Sequence, residues 1–209
     1  MRSLAVIVSY LLHPVFMLTW LTCFFVFTPN YFSYFMSPAK KIFLLAAVFV
    51  FSVALPLLNT FLLKKLGYIT NVQMSNSQER TMPYVSSMVL HLGLLYILHD
   101  LAIPSFFKFL ILSSVAVILT LLVINFFSRV SAHAAGAGGF LGAICFYEFI
   151  AYQPVLLPIC ICLGFCGLVG FSRLYLQAHT ERQVYGGFVS GLLSSLLCLF
   201  LLLYSNYQL

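Results

Sequence analysis

Charge is nearly missing from this chain. Asp and Glu number 4 and Lys and Arg 10 among 209 residues, so charged side chains are 7% of the total, against about 25% in soluble proteins. That scarcity excludes a soluble globular domain. Long polar stretches are missing too, so no separate soluble module is expected beside the apolar segments. Near the amino terminus a single Arg2 precedes an apolar run over 4–28. The run is too long for a signal-peptide core and lacks a small-residue cleavage pattern, so it reads as a retained span. Metal ligands are equally scarce. The 6 Cys lie within apolar segments, and no His or acid stands beside Cys160, Cys162 and Cys166 to complete a metal site. They read as ordinary apolar packing. The formal charge of +6 is scattered among short links, which excludes a solvated basic patch for nucleic acid and fits orientation signals or contact with anionic head groups.

What is present is hydrophobic sequence, 63% of the chain, in repeated long runs. A span needs about 20 mostly apolar residues. Candidates fall at 4–28, 42–63, 84–99, 106–127, 133–150, 155–175 and 184–204. The third and fifth are short, so the expectation is an all-α polytopic bundle of about 6–7 spans, a single integral membrane domain over 1–209. A bacterial plasma membrane is the expected location.

With those spans, the links after the second, fourth and sixth share one membrane face. They carry Lys64 and Lys65 with "SNSQERTMP", then "SRVSAH", then "SRLYLQAHTERQ". The opposite links, "TPNYFSYFMSPAKK", "HDLAIPS" and "AYQP", read as turns and aromatic anchors. Counting Arg2, the motif side holds Lys64, Lys65, Arg80, Arg129, Arg173 and Arg182, against Lys40, Lys41 and Lys108 opposite. The positive-inside rule favours a cytoplasmic motif face; setting aside Arg80, Arg129 and Arg173 as ligand contacts removes most of that bias. Small residues recur at helical spacing: Ala134, Gly138 and Gly142; Gly187 and Gly191; Gly164, Gly167 and Gly170. Such stripes let helix backbones approach closely in lipid.

A guanidinium near a bilayer must be paired, snorkel or face a wet cavity. Arg80, Arg129, Arg173 and Arg182 share their face with only Glu79 and Glu181. The cationic surplus invites an anion, and the planar guanidinium fork suits phosphate. Two His join them. His133 opens a span ahead of "AAGAGG", where first-turn amides lack intrahelical partners and can face an anion. His179 stands six residues after Arg173, and Gln183 lies four further on; in a helix, the Gln side chain reaches the imidazole. Two His, several Arg and a helix amino terminus suit phosphoryl transfer through a phosphohistidine: nucleophile, acid and charge clamp. His13, His91 and His99 read as structural, His99 as an interfacial pair with Asp100.

These residues resemble the type 2 phosphatidic acid phosphatase superfamily. Its third motif, Ser-Arg, five residues, His, three residues, Asp, is similar to Ser172, Arg173, His179 and Gln183, followed by "VYGGFVSG". Its second, Pro-Ser-Gly-His, resembles "VSAHAAG", with Ser131 and His133 kept, Val130 in the Pro position and Ala132 in the Gly position. Its first, Lys, six residues, Arg-Pro, is matched by Arg80, with Thr81 in place of Pro and Gln73 in place of Lys. The phosphatase-like core would cover 64–204, preceded by the two spans at 4–28 and 42–63.

The resemblance implies a membrane phosphohydrolase needing no metal or cofactor. Its substrate would be a lipid phosphate or diphosphate, and membrane lipids its partners. His179 would attack phosphorus and His133 would protonate the departing oxygen. Arg80 and Arg173 would hold the phosphate with backbone amides around Ser131 and Ala132, and Arg129 is a further candidate contact. The departure at Gln183 matters most: an amide orients the ring without supplying charge, and in Ser-His-Asp enzymes the Asp to Asn change lowers turnover about 10⁴-fold. Glu79 is the remaining candidate for a replacement carboxylate, because Asp100 and Glu148 fall at the other ends of their spans and Glu181 falls on the other side of a helix from His179. Loss of Asp and Lys leaves a second reading open, a non-catalytic protein that binds or transports a phospholipid or isoprenoid phosphate.

Overall fold

The computed structural model describes residues 1–71, 74, 76–151 and 156–207. Every regular element among them is helical: α1 (Arg2–Leu11), α2 (Pro14–Phe27), α3 (Tyr31–Tyr34), α4 (Pro38–Phe49), α5 (Leu55–Lys65), α6 (Ser77–Leu98), α7 (Ser105–Phe127), α8 (Ala132–Ala151), α9 (Leu156–Tyr175) and α10 (Glu181–Tyr207), with a π-helical segment at Val50–Ala54 joining α4 to α5. Five of these stretches are long and apolar enough to cross a membrane: Pro38–Lys65, α6, α7, α9 and α10. A sixth is added if α1 and α2 form one span bent by 65°. Large apolar side chains such as Phe27, Tyr96 and Phe127 stay exposed along the helices, where hydrocarbon rather than water is the natural surrounding. The protein is an integral membrane protein.

Local chemistry explains where the helices start and break. Asn30, Ser37 and Asn76 cap α3, α4 and α6 by accepting backbone N–H groups, the usual service of short polar residues at N-caps. The run 4–28, expected as one span, is broken: Leu12 and His13 are non-helical and Pro14 opens α2. Proline has no amide to continue the preceding ladder but is well suited to a first helical turn. Pro56 similarly follows the π-helical segment, where Ser52 is buried and its Oγ lies 3.0 Å from Thr19 Oγ1. A Pro disrupts the hydrogen bond to the residue four earlier, and a π-bulge absorbs the misfit. Helix α6 begins at Ser77 rather than near 84, so Arg80 lies inside a helix instead of a loop.

The chain falls into two compact units, Leu18–Arg129 and Met1–Met17 with Val130–Leu209. In the first, Phe25 and Phe106 meet edge to face at 4.8 Å and Phe32 stacks on Phe106 at 4.4 Å. In the second, α8 and α10 pack backbone against backbone. A Cβ on Gly138 would overlap the carbonyl oxygen of Phe188, and one on Gly191 would overlap that of Ala135. Gly142 faces the Leu192 carbonyl less closely, a Cβ there standing 3.0 Å from its oxygen. The stripe expected on α9 behaves differently: Gly164 and Gly167 have nothing within 4 Å.

Candidate functional site

The second unit gathers the two later motifs through its helix ends. Ser172 and Arg173 lie in the last turn of α9. Beyond Tyr175 the chain reverses: Gln177 N donates to Leu174 O at 2.9 Å, Ala178 N donates to Arg173 O at 3.0 Å, and Gln177 has φ +52. This is a Schellman cap with Gln in the left-handed position usually given to Gly. A side chain there costs roughly 1–2 kcal/mol. The reversal sets His179 just before α10.

Helix α10 starts with the Gln half of a capping box. Thr180 O accepts from Val184 N at 3.1 Å, while Gln183 Oε1 accepts from Thr180 N at 3.2 Å. A Thr followed three residues later by Gln or Glu is the sequence signature of this arrangement. The same oxygen lies 3.1 Å from His179 Nδ1. A backbone N–H only donates, so the amide atom facing Thr180 is the oxygen. Its partner Nδ1 therefore carries the proton, and the Nε2 lone pair points away. The expected reach from Gln183 to the imidazole is present, although α10 begins only at Glu181.

Ser131, fully buried, caps α8. Its Oγ accepts from Ala134 N at 3.4 Å and its carbonyl accepts from Ala135 N at 2.9 Å. Its own amide donates to Gln183 O at 2.9 Å. That bond ties the start of α8 to the start of α10, and Gly187 permits it, since a Cβ there would stand 2.5 Å from Ser131 O. Because the Ser131 amide is committed, the first-turn amides of Ala132 and His133 are the ones without an intrahelical carbonyl.

His133 lies within electrostatic reach of Arg173, His13 and His179. Its Nε2 is 3.2 Å from the carbonyl oxygen of Ser9. Arg173 donates through Nη1 to Ser9 Oγ at 2.6 Å, and Ser172 Oγ donates to Ala5 O at 3.0 Å. The unit thus brings together Ser131, Ala132, His133, Arg173, His179 and Gln183. Ser9 and His13 are also at this site, and sequence reasoning misses them: Ser9 draws no notice and His13 reads as structural. The one signal is at His13, which precedes Pro14 at the break between α1 and α2.

Arg80 and Arg129 belong to the other unit. There Arg80 Nε donates to Met74 O at 2.9 Å and its guanidinium engages Tyr84; Arg129 is exposed beyond the end of α7. Gln73 lies outside the described residues. Glu79 Oε1 accepts from Thr70 Oγ1 at 2.9 Å within the same unit. Asp100 pairs with His99 at 2.6 Å, both exposed, and Glu148 and Glu181 are exposed. Among the described residues no group of three or more His, Cys, Asp or Glu side chains is arranged to hold a metal.

Residues 84–207 match the family model described as the PAP2 superfamily. No curated protein and no solved structure matches the chain.

Proposed function

Since the chain belongs to the PAP2 superfamily, we propose that it is a membrane phosphohydrolase that cleaves a lipid phosphate or diphosphate through a phosphohistidine on His179. The observation that carries this reading is the bond from His179 Nδ1 to Gln183 Oε1, which leaves Nε2 as the nucleophilic nitrogen. Nε2 attacks phosphorus as the bond to the leaving oxygen breaks, and His133 gives that oxygen its proton. Water then attacks the phosphohistidine, returning a proton to His133 and freeing phosphate and His179. Arg173 and the amides of Ala132 and His133 hold the phosphoryl oxygens, and supply the charge stabilisation that dominates such transfers. An apolar, membrane-embedded setting suits a lipid substrate.

A second reading follows from the chemistry of Gln183. Its oxygen is a neutral acceptor already serving the Thr180 amide, so the contact also makes sense as a helix cap in a protein that binds or carries a lipid phosphate without cleaving it. The two readings part in one experiment. Purified protein in detergent, with chelator and no added metal, is given a panel of lipid phosphates and diphosphates beside His179→Ala. The hydrolase releases phosphate and the variant does not. Binding of the same lipids without release, weakened by Arg173→Ala, establishes the carrier.

A further inference from the structure

Helix α1 lies outside the residues that match the family model, yet it reaches the centre of the site. Ala5 and Ser9, four apart, share one face of α1, and His13 follows in the non-helical link to α2. Each meets a motif residue. The Ala5 carbonyl accepts from Ser172, the Ser9 hydroxyl from Arg173 and the Ser9 carbonyl from His133. The ring of His13 stands edge to face with that of His133, centroids 4.8 Å apart and planes at 81°.

These contacts determine protons. A carbonyl only accepts, so His133 Nε2 carries a hydrogen held by Ser9 O, and the nitrogen free to deliver a proton is Nδ1. His13 is held in the opposite tautomer. Its Nδ1 accepts from Val15 N at 3.3 Å, capping α2, so in the neutral ring Nε2 bears the hydrogen. The cap is lost if Nδ1 is protonated. Arg173 lies within electrostatic reach of both rings. Arg173 gives one N–H to Ser9. That bond from Nη1 to the Ser9 hydroxyl fixes the guanidinium plane.

We propose that Ser9 of α1 and His13 of the link after it are the positioning wall of this site: the Ser9 carbonyl and the His13 ring hold His133 so that Nδ1 delivers the leaving-group proton, while the Ser9 hydroxyl orients Arg173 for phosphate. This assignment rests on the phosphohydrolase function proposed above. Neither residue touches substrate; both act through His133 and Arg173.

The test uses the full-length protein in detergent and two substrates that differ in their need for an acid: an alkyl phosphate, whose alkoxide must be protonated to leave, and p-nitrophenyl phosphate, whose phenolate leaves unaided. His13→Asn retains a good N-cap for α2 and removes the ring. General acid catalysis is worth about 10²–10⁴-fold, so mispositioning the acid should cost at least about tenfold in kcat on the alkyl substrate and less than about threefold on the aryl one. His133→Asn should show the same selectivity, more strongly. Ser9→Ala should lower kcat/KM on both substrates alike, since Arg173 stabilises the transferring phosphoryl group in each. His13→Asn acting like the parent on the alkyl substrate, or losing equally on both, overturns the wall while leaving the hydrolase intact. A parent protein inactive on both substrates and on the lipid panel overturns the hydrolase reading, and the wall with it.

Discussion

Replacing Gln183 with Glu changes one atom's chemistry while keeping the local structure. The side chain is of equal length, and Glu serves a capping box as well as Gln does, so the bond to Thr180 N is retained. What changes is the partner of His179 Nδ1, now 3.1 Å away from a neutral oxygen and in the variant facing a carboxylate. His179 is neutral before attack and acquires positive charge as Nε2 bonds to phosphorus, so the new interaction favours the transition state over the ground state. Unit charges at that separation attract by about 5 kcal/mol at an effective dielectric near 20, an upper bound. The difference between a charge-assisted and a neutral hydrogen bond, about 1–1.5 kcal/mol, is the lower one. At about 1.4 kcal/mol per decade, kcat should rise by at least about fivefold. Steady-state phosphate release from the preferred lipid, with thermal unfolding alongside, reads both effects. The carboxylate also favours the imidazolium, which cannot attack, so the acidic limb of the rate profile should move to higher pH. Unchanged or reduced kcat in a Gln183→Glu variant of normal stability would refute the claim that Gln183 orients a nucleophile.

Other consequences follow from the same geometry. Gln177→Gly should raise thermal stability in detergent by up to about 1 kcal/mol, because Gln177 sits in the left-handed region that Gly occupies freely. Gly191→Ala should cost about 1–3 kcal/mol by forcing α10 off the Ala135 carbonyl, whereas Gly167→Ala, with open space around it, should be neutral or stabilising by up to about 1 kcal/mol. Turnover should follow a bell-shaped pH profile, since His179 must be neutral to attack and His133 protonated to donate; a flat profile that His133→Ala leaves unchanged would contradict that division of roles.

Much of this architecture is legible in the sequence because the bilayer enforces it. Long apolar runs locate the spans, and the fixed order of "ERTMP", "SAH" and "SRLYLQAHTERQ" carries the family resemblance. Hydropathy marks the part of a helix suited to lipid, not the helix itself, so the polar first turn of α6, announced by Asn76, reads as loop. The break at Leu12 and His13 is hidden from hydropathy because both flanks are apolar; Pro14 is its signal. Gln183 looks like a bare loss of charge, yet Thr180 and Gln183 already spell a capping box. Ser9 and His13 could not be assigned, since their partners lie more than 100 residues away.

The central claim concerns a covalent bond between phosphorus and His179. Rapid quenching of the protein during turnover of a ³²P-labelled lipid phosphate, followed by peptide mapping, tests it directly. The account predicts an acid-labile, alkali-stable label on the peptide containing His179, absent from His179→Ala. Robust phosphate release with no such label, or release that survives His179→Ala, would contradict it.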